Sequence, residues 1–257
     1  MSPSSRSKLD ALRAKIAVME RGGRGPADVL ALGDPRLDGR FLGGGLPLGC
    51  WHEFAGEGLE RETGAAGAGF VARLAAPLAR RGEVVWVLRR GDLHAPGLAG
   101  LGLPAERLIQ VCAPSEAEVL AVLEDALRTP GVAAAVGEAE SVGLTAGRRL
   151  QLACEEGAAT GFVLRRRPFA NTAKTEAAGS AAATRWTVAP APSEPAPGEP
   201  GLGEQRWRAR LERCRGGRTG AWILEASEDD DDAHPFRLVA ELGDRDVAAA
   251  ATVRLAG

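Results

Sequence analysis

Residues 41–81 read FLGGGLPLGCWHEFAGEGLERETGAAGAGFVARLAAPLARR, and this stretch decides the fold. Gly43, Gly44, Gly45 and Gly49 around Leu46-Pro47-Leu48 supply a turn-rich approach, and residues 51–54, WHEF, are short, aromatic and strand-like. A glycine-rich loop is expected from Gly56 to Gly69. Beyond it Phe70, Val71, Leu74 and Leu78 recur at helical spacing. Turn, strand, glycine loop and helix follow one another in the order of a phosphate-binding loop.

The chemistry of such a loop needs G-x-x-x-x-G-K-[ST], in which the lysine reaches the β and γ phosphates and the hydroxyl holds Mg²⁺. Lys8, Lys15 and Lys174 are the lysines of the chain, and none follows a glycine loop that opens a helix. The sequence therefore predicts a degenerate phosphate loop at Gly56, Gly64, Gly67 and Gly69, with only backbone amides left to attract an anion.

Outward from this stretch, residues 83–88 (EVVWVL) form a continuous apolar run suited to a parallel strand buried on both faces, and residues 108–112 form a second. Pro77 removes a backbone donor and should kink the intervening helix or end it early. Residues 115–128 have a helical apolar stripe of Val119, Leu120, Leu123 and Leu127, opened by Ser115 and Glu118 at capping-box spacing. A strand over 132–136, a helix over 145–156 and a strand over 161–164 follow. Such alternation predicts a doubly wound α/β sheet. Before the core, residues 7–21 place Leu9, Leu12, Ile16 and Met19 on one face of an amphipathic helix.

After a polar loop over 166–184, residues 185–188 are strand-like, and residues 190–200 read as a proline-rich linker. Trp207, Ala209 and Leu211 then alternate with Arg206, Arg208, Arg210 and Glu212, and Gly216-Gly217 turns the chain back through Trp222, which predicts a β-hairpin with one charged face. Residues 228–232 are an acidic run before a last strand-like segment over 236–242.

The run LDGRFLGGGLPLGCWHEF (residues 37–54), with the glycine loop, the helix and EVVWVL behind it, resembles the ATPase core of the RecA recombinase family. Within that group it is similar to the ImuA family, RecA-like accessory proteins of inducible (SOS) mutagenesis that are related to the division inhibitor SulA. The likeness spans residues 36–190. It implies a RecA-like doubly wound, mainly parallel α/β sheet carrying an N-terminal helix (1–35) and a C-terminal part with a hairpin and an acidic tail (191–257). It also implies partners: an ImuB-like inactive relative of Y-family polymerases, an error-prone replicative-type DNA polymerase, and RecA.

In RecA relatives a glutamate after the second core strand activates water and an aspartate ending a later strand holds Mg²⁺. Here those positions fall near Arg89-Arg90 and Gly137-Glu138, so only Glu138 keeps a carboxylate. The expectation is a chain without ATPase activity and without a cofactor, acting through protein contacts. A divergent DNA-dependent ATPase and a SulA-like inhibitor of the tubulin-like division protein are the competing readings.

The basic clusters are Arg165-Arg166-Arg167 and the arginines between Arg206 and Arg218, with Trp207 and Trp222 in the same hairpin. Arginine and tryptophan dominate interaction hot spots, so Arg165, Arg166, Arg167, Trp207, Arg208, Arg210 and Trp222 are candidates for contact with DNA phosphates or an acidic partner. An exposed, solvated strand face is the plainer reading of the same residues. The formal net charge of −2 gives no global basic field, and a GC-rich genome alone enriches arginine.

Other chemistry is weakly signalled. Residues 139–143 (AESVG) approximate a nucleophile elbow without its first glycine, and His234 is the only later histidine, so Ser141 reads as a loop serine. His52 and His94 lack partners at metal spacing, and Cys50, Cys112, Cys154 and Cys214 are scattered, as reduced thiols rather than zinc ligands. No apolar run reaches the roughly 18 residues that a membrane span needs, and a cytoplasmic chain is expected.

Overall fold

The computed structural model describes residues 28–58, 60–166, 181–195, 198, 200–227 and 234–243. The expected helix over 7–21, Arg167, most of the 166–184 loop and the acidic run over 228–232 lie outside the described residues.

A short antiparallel pair, β1 (Val29–Leu30) and β2 (Leu46–Pro47), leads into the main sheet. Among the described residues that sheet has nine strands: β3 (Trp51–Gly56), β4 (Glu83–Leu88), β5 (Leu108–Cys112), β6 (Val132–Ala139), β7 (Thr160–Arg165), β8 (Thr184–Ala191), β9 (Arg206–Cys214), β10 (Gly220–Ala226) and β11 (Phe236–Glu241). Their order is β11-β10-β9-β8-β3-β7-β6-β4-β5. The pairings from β8 to β5 are parallel, and β9, β10 and β11 extend the sheet antiparallel. The helices are α1 (Pro35–Asp38), α2 (Glu60–Ala75), α3 (Ala95–Ala99), α4 (Glu116–Arg128) and α5 (Leu144–Gly157).

The apolar run of β4 is buried on both faces, as a central parallel strand requires. One face packs Phe54, Trp86, Phe162, Trp186, Trp207 and Trp222 against Phe70, Val71 and Leu74 of α2. The other packs Trp51, Val85 and Val163 against Leu123 of α4 and Leu150 of α5. Ser115 caps α4 by accepting from the Glu118 amide at 3.3 Å, and α2 stops at Ala75, two residues before Pro77. From β3 the chain moves toward β5 with α2 and the α3 segment on the first face. It then returns through β6 and β7 with α4 and α5 on the second, as right-handed crossovers demand.

Two sequence expectations are corrected. The glycine loop does not run to Gly69: helix α2 begins at Glu60, so Gly64, Gly67 and Gly69 lie inside it. Their role is close approach. A Cβ on Gly67 would stand 3.0 Å from Leu164 Cδ1, and one on Gly69 3.3 Å from Leu101 Cδ1. Gly56 likewise lets β3 pass under the helix, since a Cβ there would meet Thr63 Oγ1 at 2.3 Å. The boundary expected at residue 190 also falls inside β8, and the hairpin beyond it joins the same sheet and the same core.

The expected hairpin forms, and it sets Trp207 opposite Leu224 and Trp222 opposite Ala209. Alternation sends both tryptophans inward, at 2% and 0% exposure, and Arg206, Arg208 and Arg210 outward. Trp207 and Trp222 are therefore core residues and cannot serve as exposed interface anchors.

Candidate functional site

The parallel strands deliver charged residues to their C-terminal edge. β6 brings Glu138, β7 ends on Arg165 and is followed by Arg166, β4 is followed by Arg89, Arg90 and Asp92, and α2 opens with Glu60. These side chains converge on one guanidinium. Arg166 donates from Nε to Glu60 Oε1 at 3.0 Å, from Nη1 to Glu138 Oε2 and Asp92 Oδ1 at 3.0 Å each, and from Nη2 to Asp92 Oδ2 at 2.8 Å.

Glu138 is 3% exposed, and its second oxygen accepts from Trp86 Nε1 at 3.3 Å. Burial pushes the Glu138 carboxyl above the usual carboxylate range, while the Arg166 charge works against that rise. Asp92, nearer solvent, is held below its ordinary value by the hydrogen bonds from Arg166. Burial opposes the Arg166 charge, but Asp92, Glu138 and Glu60 outweigh it and raise its pKa further.

A phosphate at this position would have to fit between β3, the first turns of α2 and β7. The space there, lined by Gly56, Glu60, Thr63, Gly64, Gly67, Leu164, Arg165 and Arg166, is about 10 Å³. That holds roughly one water. Glu60 Oε2 is buried beside it without a hydrogen-bond partner. A second hollow of about 100 Å³ lies next to it, lined by Arg89, Arg90, Pro114, Glu138, Glu140 and Arg166. It sits where β4 exits to one face of the sheet while its neighbours β5 and β6 exit to the other, the place where open α/β sheets form a crevice. Arg89 closes part of it with a 3.1 Å pair to Glu140.

The remaining candidate arginines among the described residues are also engaged inside the chain. Arg165, 9% exposed at its side chain, donates to Glu53 Oε1 at 3.0 Å and to the Glu140 carbonyl at 3.2 Å, while Arg185 holds the other Glu53 oxygen at 3.2 Å. Arg208 pairs with Glu57 at 2.8 Å and Arg210 with Glu212 at 2.8 Å. Gly56, Gly64, Gly67, Arg165, Arg166 and Glu138 are thus brought together at one strand edge. Gly69, Trp207 and Trp222 belong to the core, and Arg208 and Arg210 to the outer face of β9.

Sequence reasoning missed Glu53, Glu60 and Asp92. Glu53 had a signal: a carboxylate in the apolar run WHEF, which burial forces to find a cation.

Chemically, the Arg166 guanidinium is fully engaged, with Glu60 Oε2 left as an unmet acceptor. Phosphoryl transfer depends on a cation free to bind phosphate and a base free to orient the nucleophile; here the cation is already shared by three carboxylates. Ser141 donates from Oγ to Glu116 at 3.3 Å, and its amide donates to the same carboxylate at 3.2 Å, the bonding of a loop serine. His52 is buried between the Thr184 hydroxyl and the Pro47 carbonyl, and burial lowers its pKa to about 4. Among the described residues no group of three or more His, Cys, Asp or Glu could hold a metal ion, and no helix is long and apolar enough to cross a membrane.

No protein-family model matches the chain. Two curated relatives, each described as Protein ImuA, come from Caulobacter vibrioides strains NA1000 / CB15N and ATCC 19089 / CIP 103742 / CB 15; both are 60% identical over 244 residues, which cover 93% of this chain and 100% of theirs. Among solved structures, SulA from Pseudomonas aeruginosa matches 45% of this chain and 96% of its own, at 22% identity and a TM-score of 0.39.

Proposed function

The chain belongs to the ImuA family, and on that premise we propose that it is a non-catalytic, RecA-like accessory subunit of DNA-damage-induced mutagenesis. It joins an ImuB-like protein to an error-prone replicative-type polymerase and to RecA. What carries the non-catalytic part of this reading is Arg166, which occupies the strand edge with Glu60, Asp92 and Glu138 as its partners. A side chain fixed by three carboxylates supports this reading, because a hydrolase needs charged groups at its strand edge that can exchange onto phosphate and metal.

Affinity capture of the tagged full chain from DNA-damaged cells tests the assignment. The expected co-purifying proteins are an inactive Y-family polymerase relative and a replicative-type polymerase. Recovery of the tubulin-like division protein in their place would overturn it and favour a division inhibitor.

A further inference from the structure

Along the first half of β9 the outward arginines each have a carboxylate: Arg206 has Glu225 and Glu194, Arg208 has Glu57, and Arg210 has Glu212. At the turn that joins the strands this changes. Arg215 donates from Nη2 to the Ala181 carbonyl at 2.7 Å and Arg218 from Nη2 to the Gly39 carbonyl at 3.3 Å. Neither has a carboxylate at ion-pairing distance among the described residues, and within those residues both charges are uncompensated.

The turn is held in one shape. The Arg215 amide donates to the Ala183 carbonyl and the Arg218 amide to the Arg40 carbonyl, both at 2.9 Å. Gly216 takes a φ of +73°, and a Cβ on Gly217 would stand 2.4 Å from the Arg40 carbonyl oxygen, so both glycines are required where they are. Behind the turn, Arg213 faces Arg185 directly across β8 and β9, so a further guanidinium adds positive charge to this end of the hairpin. Of the nearby carboxylates, Glu53 is taken by Arg165 and Arg185, and Glu241 by Arg40.

Residues 215–219 (RGGRT) carry no apolar side chain. Protein interfaces draw most of their energy from tryptophan, tyrosine and arginine anchors packed in desolvated pockets, and this turn offers arginine with no apolar or aromatic side chain to pack beside it. Uncompensated guanidinium groups and exposed glycine backbone suit a partner recognised by charge alone, of which the phosphate backbone of nucleic acid is the chief example. We propose that the β9–β10 turn is a nucleic-acid backbone contact in which Arg215 and Arg218 are the phosphate donors. It lies at the N-terminal edge of the parallel strands, opposite the Arg166 cluster, and does not rest on the absence of ATPase activity.

The test is fluorescence anisotropy of a labelled single-stranded oligonucleotide with the full chain, titrated between about 50 and 200 mM salt. Arg215→Gln with Arg218→Gln removes both charges but keeps amide donors for the two carbonyls, which protects the fold, and thermal unfolding verifies that. Binding is expected to weaken about tenfold or more at the low-salt end, with the log–log salt slope flattening by about 0.7 for each arginine removed. Arg107→Gln with Arg128→Gln removes the same charge at the other end of the sheet and should change neither quantity. No oligonucleotide binding by the unaltered chain, equal losses in both double variants, or an unchanged slope in the first would each overturn the proposal. Binding of polyglutamate without binding of the oligonucleotide would assign the turn to an acidic protein and overturn it as well.

Discussion

Arg166 and Glu138 meet at 3.0 Å with the carboxylate withdrawn almost wholly from solvent. Glu138, the carboxylate that the RecA resemblance would set at a metal-holding position, is satisfied by a cation of its own chain. Glu60 and Asp92 complete the clasp, so α2, β6, β7 and the segment after β4 are tied through a single side chain.

Removing that side chain should be costly in a pH-dependent way. Arg166→Ala is expected to lower stability by about 3 to 5 kcal/mol at neutral pH, the usual cost of leaving a buried carboxylate unpaired. Without the opposing charge, the Glu138 pKa rises further above its unfolded value of about 4.3. The folded state then binds a proton more tightly than the unfolded state, so the deficit is fully present above the raised pKa and shrinks as pH falls through it. Urea unfolding of both chains at pH 8 and pH 5.5 checks this, and adding Glu138→Gln should recover part of the loss.

Glycine substitutions separate a helix from a phosphate loop. Gly64 lies in α2 with only Glu60 Cγ near, at 3.4 Å, so Gly64→Ala should stabilise the chain by up to about 1 kcal/mol through helix propensity. Gly56→Ala should destabilise, because its Cβ would overlap Thr63 Oγ1. Thermal unfolding reads both signs.

The tryptophans of the hairpin should behave as core residues. Trp207→Ala is expected to cost about 3 to 5 kcal/mol of stability. Replacement by phenylalanine makes a finer distinction: Trp207 Nε1 donates to the Ala66 carbonyl at 3.0 Å, whereas Trp222 Nε1 is buried without a partner. Trp222→Phe should therefore cost less than Trp207→Phe by about 1 kcal/mol. Chemical denaturation of the two variants measures the difference.

Much of this fold was legible from periodicity. EVVWVL, the capped stripe from Ser115 to Arg128 and the alternation around Trp207 each have a local pattern that tertiary structure keeps. GAAGAG failed because glycine and alanine permit a loop and a closely packed helix equally. Which one forms depends on Leu164, Leu101 and Thr63, residues that only the folded sheet brings near. The charged site was half legible for a similar reason. Arg165 and Arg166 stand out as a basic run, but their partners Glu53, Glu60, Asp92 and Glu138 are far apart in sequence and meet only at the ends of the parallel strands.

Thiol reactivity offers an independent check of the core. All four cysteines are free, and burial pushes the Cys50 thiol up to about 12, the Cys214 thiol up to about 11 and the Cys154 thiol upward as well. A raised pKa leaves little thiolate at pH 8, so only exposed Cys112 should react rapidly with a disulfide reagent in the native chain. All four should react after unfolding.

The central claim, that the phosphate position is closed by the Arg166 clasp, is tested most directly by nucleotide turnover. Purified full-length chain with ATP and Mg²⁺ is expected to release no phosphate above background, with or without single-stranded DNA, and Glu138→Ala should leave that result unchanged. Turnover by the unaltered chain that disappears in Glu138→Ala would contradict the account and establish a working ATPase at this strand edge.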